Sequence, residues 1–168
     1  MFILHHEFSI ISLLVYVDDV IITGNNNTLI QHIIRTLSSQ FALKDLGMLT
    51  YFLGIEIKYF TARICLSQAK YTKDLLIKTK KQDSTSIITP MTMKEVPKFD
   101  DNEPVDATEY RQIVGSLQYL TFTRSDITHD VNRVCHKFQQ PTKADLRSVK
   151  RMLHYLKGTL NFSLRYLK

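Results

Sequence analysis

The sequence predicts an α+β chain, with antiparallel strands and one packed helix first and a mainly helical region after them. Three observations carry this. Short runs rich in β-branched and aromatic residues, separated by turn residues, crowd positions 1–66. Pro90, Pro97 and Pro104 all fall between Asp83 and Asp106, among several Ser, Thr and charged residues, which reads as a linker. Beyond it, apolar residues recur at helical spacing behind capping residues. With 168 residues, 44% of them hydrophobic, the chain can bury a core as one ordinary domain or two small ones.

Phe2 to Leu4 is a short apolar stub of a strand, and His5-His6-Glu7 reads as a turn. Ile10 to Val17 is a buried strand and Val20 to Thr23 a second, with only Asp18 and Asp19 between them. Gly24-Asn25-Asn26-Asn27 is a loop, with Asn27 or Thr28 capping a helix. Leu29, Ile30, Ile33, Ile34, Leu37 and Phe41 follow helical spacing, as in an amphipathic helix packed on a sheet. Leu49 to Ile57 is the next β pattern, and Ile64-Cys65-Leu66 its hairpin partner. Ser67 caps a helix running to about Lys80. After the linker, Asp106-Ala107-Thr108-Glu109 has the form of a capping box, with Tyr110, Ile113, Val114 and Leu117 facing inward behind it. A helix from Asp126 turns Ile127, Val131, Val134 and Phe138 inward, and Pro141 ends it. Another begins at Thr142-Lys143-Ala144-Asp145, buries Leu146, Val149, Leu153 and Leu156, and closes at Lys157-Gly158. Leu160 to Leu167 alternates like a strand, and no partner strand follows it.

Composition excludes several classes. No run reaches the roughly 18 apolar residues that cross a bilayer, and Met1 to His6 lacks the basic flank and small-residue cleavage site of a secretory leader. A soluble intracellular protein, with no membrane partner, is the expectation. Cys65 and Cys135 form no paired-cysteine motif, so two reduced thiols are expected. His5-His6, adjacent at a turn, make a poor chelate. The net charge of +6 is unevenly placed: residues 109–168 hold eleven basic and four acidic side chains, whereas 1–60 hold three and five. Such asymmetry hints at contact with a polyanion.

The chemistry concentrates at Tyr16-Val17-Asp18-Asp19. Two like charges at a tight turn between apolar strands are locally unfavourable, and a sequence that keeps such a choice often does so for function. Nucleotidyl transfer uses two divalent cations about 3.5–4 Å apart. Magnesium, as a hard ion, prefers carboxylate oxygens. A hairpin turn lifts two aspartates clear of the apolar layer. Adjacent residues point different ways, so a third carboxylate from another strand is expected. A surface Asp-Asp turn with no role is the plain alternative.

The motifs decide between them. Leu13 to Gly24, containing Tyr16-Val17-Asp18-Asp19, resembles the active-site hairpin of copia-type retrotransposon reverse transcriptases. Phe41-Ala42-Leu43-Lys44-Asp45-Leu46-Gly47 and Tyr51-Phe52-Leu53-Gly54-Ile55-Glu56-Ile57 resemble the next landmarks of that family, the second being its primer-grip hairpin. Leu66 to Tyr71, Thr89-Pro90-Met91, Tyr110 to Leu120, Thr123 to Ile127 and Lys150 to Thr159 continue the likeness in order along nearly the whole chain. Short reading frames of plant genomes, mitochondrial ones included, look similar.

The resemblance implies RNA-directed DNA polymerisation with Mg²⁺ held by Asp18 and Asp19. Tyr16 and Val17 become neighbours of the primer end and incoming dNTP, and Phe52, Leu53 and Gly54 lie against the primer backbone. For Phe52 and Leu53, ordinary core packing is an equal alternative. The resemblance further implies a partial palm over 1–66, a thumb-like helix and linker over 67–105, and a helical thumb and connection over 106–168. In the family another catalytic aspartate lies before this segment and ribonuclease H follows it. No Asp precedes Asp18 here, so the chain alone is expected to be inactive. One alternative is a module that only binds a primer–template duplex; another is a polymerase completed by a partner chain, such as the missing part of a Pol polyprotein. For duplex contact, Lys143, Arg147, Lys150 and Lys157 share one helix face with His154, either to meet phosphates or simply to face solvent.

Overall fold

The computed structural model describes residues 1–6, 8–91 and 99–167. It mixes antiparallel sheets with five α-helices among those residues, as the sequence predicts. Two compact units emerge, Met1–Leu49 and Thr50–Lys168. The division falls inside the 1–66 segment, because the strands after residue 50 pair with one near the other end of the chain.

In the first unit, β1 (Phe2–His6), β2 (Ser9–Tyr16) and β3 (Asp19–Gly24) form an antiparallel sheet in that order. His5 and His6 lie in β1 rather than in a turn, because the register runs on to pair them with Ile10 and Ser9. Leu13 pairs with Phe2 and Ile22, so Leu4, Ile11, Leu13, Val15, Val20 and Ile22 share one face. Among the described residues of that face only Ile11 is buried, at 2% exposed; Leu4 and Val15 are each 47% exposed, close to Ile3 and Ile10 on the opposite face, so the strand expected to be buried is largely open. Helix α1 (Asn27–Gln40) packs back on β3. Its cap is Asn26, one residue before the expected position, and the Asn26 side chain accepts from the Leu29 amide at 3.1 Å. Asn26 also donates to Ser9 Oγ at 3.0 Å, which ties the helix start to β2.

In the second unit, β4 (Tyr51–Phe52), β5 (Ile55–Phe60), β6 (Arg63–Ser67) and β7 (Leu164–Leu167) make a four-stranded antiparallel sheet in that order. β7 is shorter than the expected 160–167 strand, and it does have a partner: Leu164 pairs with Leu66 and Leu167 with Arg63. Sequence reasoning sought that partner downstream, whereas it lies about a hundred residues earlier. The helices are α2 (Ala69–Lys78), α3 (Ala107–Leu120), α4 (Thr128–Cys135) and α5 (Lys143–Gly158). A 3-10 turn, Ser125–Ile127, replaces the expected first turn of α4. Asp106 caps α3 through the Thr108 and Glu109 amides, and Thr142 with Asp145 forms a full capping box on α5.

The core of this unit is helical. Tyr110, Val114, Leu117, Val131, Val134, Val149, Leu153 and Leu156 are all buried, as their spacing predicts, and Ile113, Phe138 and Leu146 pack against them. Each fully buried aliphatic side chain contributes about 1.5–3 kcal/mol. The Tyr110 hydroxyl donates to the Val134 carbonyl at 2.9 Å, joining α3 to α4. Burial, reinforced by the nearby Asp145 carboxylate, pushes that phenol well above its ordinary range.

A polar knot lies beside this core. Arg124, 3% exposed, grips Asp126 with two parallel hydrogen bonds of 2.9 and 2.7 Å. It also donates to the Thr159 carbonyl and hydroxyl at 3.1 and 2.7 Å, just past α5. Tyr155 of α5 donates to the same aspartate at 2.8 Å. The fork geometry that only arginine offers thus satisfies a buried charge from three sides. Cys65 and Cys135 are unpaired.

Candidate active site and nucleic-acid interface

The strand pair β2–β3 turns one residue earlier than predicted. Tyr16 pairs with Asp19, so the two-residue turn is Val17-Asp18 and Asp19 is the first residue of β3. The shift follows from pairing that runs on to Asp19, and it has a backbone cost. Two-residue hairpin turns that match strand twist need a positive φ at their first central residue, ordinarily glycine. Val17 takes that place at φ +50°. A β-branched residue is strained there, at a cost on the order of 1–3 kcal/mol. Val17, Asp18 and Asp19 are all exposed. Tyr16, half exposed, shares its face of the sheet with Asp19, Leu14 and Ile21.

The donor chemistry of this turn suits a hard cation, since carboxylate oxygens project from a rigid hairpin into solvent. Among the described residues, no group of three or more His, Cys, Asp or Glu is placed to hold a metal. Asp18 and Asp19 are therefore at most part of a metal site within the described chain.

The β4–β5 hairpin turns at Leu53-Gly54, with φ +47° and +77°. Positive φ at both central residues is the type I′ pattern. Glycine is needed at residue 54 for its φ and not for space, because an added Cβ would meet only ordinary contacts with Tyr119 and Tyr71. The Tyr119 hydroxyl of α3 donates to the Leu53 carbonyl, and Tyr119 packs edge-on against Tyr71 and Phe122. Leu53 is partly exposed at 38%, and Phe52 is half-buried.

Lys143, Arg147, Lys150 and Lys157 all lie on α5, yet they do not make one uniform stripe. Lys143 pairs with Glu103 at 2.7 Å and Asp100 at 3.4 Å. Arg147 pairs with Asp100 at 3.6 Å and also with Asp101. Lys157 donates to the Ser84 carbonyl. Lys150 is exposed and joins Lys78 and Lys81 around a groove of about 290 Å³ between α2, α3 and α5. Leu75, Ile113 and Leu153 line that groove, and Glu109 is its one acidic residue. Sequence reasoning missed Lys78 and Lys81 because they come from α2 and the segment just after it, far from α5 in sequence. It also missed the acidic run Asp100–Glu103, which looked like linker. The Thr123 to Ile127 motif was the available signal for the Arg124–Asp126 knot.

The sequence profile described as reverse transcriptase (RNA-dependent DNA polymerase) matches residues 1–93. The chain belongs to that family, and its sequence corresponds to a segment of copia-type Pol polyproteins. It is 44% identical, over 96% of its length, to the retrovirus-related Pol polyprotein from transposon RE1 of Arabidopsis thaliana. It is 33% identical, over 91% of its length, to that from transposon TNT 1-94 of Nicotiana tabacum. It is also 45% identical, over 88% of its length, to an uncharacterized mitochondrial protein of Arabidopsis thaliana. The chain spans 62% of that mitochondrial protein, 11% of the RE1 polyprotein and 12% of the TNT 1-94 polyprotein. No solved structure matches it. No helix among the described residues is long and apolar enough to cross a membrane.

Proposed function

We propose that this chain contributes the paired aspartates of a reverse transcriptase metal site and part of the surface that holds the primer–template duplex. The observation that carries this is the strained Val17-Asp18 turn, which presents exposed Asp18 and Asp19 at the end of an antiparallel apolar hairpin. Asp18 and Asp19 would hold Mg²⁺, completed by a carboxylate from elsewhere in the polymerase. Bound there, the ions would activate the primer hydroxyl and neutralise the leaving pyrophosphate. Tyr16 would pack against the base or sugar of the primer end or incoming dNTP, and Val17 would neighbour it. Phe52, Leu53 and Gly54 would lie along the primer backbone. In this reading, 1–66 is palm, 67–105 thumb-like helix and linker, and 106–168 thumb and connection.

The test has two arms. Mn²⁺ titrated into the 168-residue chain should broaden the amide signals around Asp18 and Asp19, and the broadening should vanish in Asp18→Asn/Asp19→Asn. Absence of selective broadening would remove these residues from the metal site. In the second arm, the chain alone should not extend a primer on an RNA template with Mg²⁺. Incorporation abolished by Asp18→Ala would mean that the chain completes its own site.

A second reading is a module that binds nucleic acid without catalysis. The groove rimmed by Lys78, Lys81 and Lys150 favours it, since three cations around one groove can follow a phosphate backbone.

A further inference from the structure

The segment Asp100–Val105 lies along the first turn of α5 as a second layer. Its backbone is bound there: the Lys143 amide donates to the Glu103 carbonyl at 2.9 Å, and the Ala144 amide to the Asp101 carbonyl at 3.3 Å. The Val105 amide donates to the Pro141 carbonyl at 3.1 Å, and Pro104 forms an isolated bridge with Thr142. The first-turn amides of a helix lack intrahelical partners and are the positive end of its dipole. Here carbonyls of the segment satisfy two of them. Three carboxylates then engage Lys143 and, one turn further along, Arg147: Asp100 and Glu103 on Lys143, Asp100 and Asp101 on Arg147.

Lys150 lies one turn beyond Arg147 on the same helix and rims the groove with Lys78 and Lys81. Residues three apart on a helix are side-chain neighbours, about 5–6 Å between Cβ atoms. A polyanion seated on Lys78, Lys81 and Lys150 and continuing along α5 therefore meets Arg147 next, and finds Asp100 and Asp101 already there. The paired side chains are 22–55% exposed. The pairs to Asp100 and Glu103 are open to solvent, weak and salt-screened, so a phosphate chain can displace them without unseating the backbone, while Asp101, with Oδ1 buried, is the firmer hold on Arg147.

We infer that Asp100, Asp101 and Glu103 form a cis-acting acidic clasp that occupies a phosphate-binding surface at Lys143 and Arg147, and that a nucleic-acid duplex must displace it to bind along α5. The inference rests on the duplex-binding reading above. The clasp sets how many cations reach phosphate: with it closed, the groove lysines bind; with it open, Lys143 and Arg147 join them.

The experiment measures anisotropy of a labelled RNA–DNA hybrid with the full chain across a salt series. Asp100→Asn/Asp101→Asn/Glu103→Gln keeps the side-chain shapes and removes the competing charge. It should bind about tenfold more tightly at low salt, with a log–log salt slope steeper by about two contacts at −0.9 each. Adding Lys143→Ala/Arg147→Ala to the triple variant should abolish both its gain in affinity and its added slope. A merely structural segment would not give that pattern. Equal or weaker binding by a folded triple variant, with an unchanged slope, overturns the clasp. If the triple variant does not fold, Asp100→Asn alone should shift binding the same way by less, and no shift overturns the clasp. Lys78→Ala/Lys81→Ala/Lys150→Ala tests the underlying reading separately. If that variant binds as wild type does, or no form binds at low salt, the duplex reading falls and the clasp falls with it.

Discussion

At Asp126, hydrogen bonds from Arg124 and Tyr155 converge on one carboxylate. Partial burial alone would push its pKa up, but the hydrogen bonds from Arg124 and Tyr155 and the Arg124 charge outweigh it and hold the group below the usual carboxylate range. A folded-state value below the unfolded one means stability that is present above the unfolded pKa and lost as pH falls through the folded one. Asp126→Ala should therefore destabilise the chain at neutral pH by about 2–3 kcal/mol, less than a wholly buried pair because Asp126 is partly open to solvent. The gap between variant and wild type, followed by urea unfolding, should close as pH drops below about 4. A gap that stays constant into acid would mean that Asp126 acts by packing and not by charge. The sequence showed the Thr123 to Ile127 motif but not this convergence. Thr159 and Tyr155 are brought to Arg124 by the packing of α5, which no local pattern encodes.

Among the elements, the strained turn of the β2–β3 hairpin makes a separate claim. Val17 at φ +50° is held by the pairing on either side of it. Val17→Gly relieves the left-handed strain but gives the unfolded chain more freedom, for a net gain of about 0.5–1 kcal/mol. Chemical denaturation of the two proteins side by side checks this, and a loss of stability would show that the turn is not strained. Elements whose cause is local were legible. The apolar runs predicted β2 and β3, and the helical spacing predicted the buried faces of α3, α4 and α5. The capping signals of α3 and α5 named the observed Asp106 and Thr142. Ends set by competition between neighbours were less so. The turn moved by one residue because strand pairing extended to Asp19, and the first turn of the helix expected at Asp126 became a 3-10 segment where Arg124 holds that aspartate. The acidic run Asp100–Glu103 carried no periodicity, so only the fold could reveal that it lies on α5.

For the molecule as a whole, the Thr50–Lys168 unit draws its sheet from distant parts of the chain, since β7 pairs with β6 across the intervening linker and helices. The early part of the linker region does not hang free of that packing: the Ile87 amide donates to the His154 carbonyl at 3.4 Å, and Arg151 donates to Thr89 Oγ1 at 2.8 Å. The Pro97 part of the expected linker lies outside the described residues. A chain leaving the ribosome in order releases β4, β5 and β6 long before β7. The outer edge of β6 must therefore wait through the synthesis of about a hundred residues, at roughly 5–20 residues per second. Through that interval it is an unpaired strand edge, open to wrong partners. The helices can settle first because their contacts are nearer in sequence. Refolding followed by pulsed hydrogen exchange should show the α3 and α5 amides protected first and the β6–β7 ladder last, with protection of the ladder ahead of the helices as the contrary result. Crowding, a chaperone or slow translation past Gly158 would then change yield at a step that has nothing to do with the stability of the finished fold.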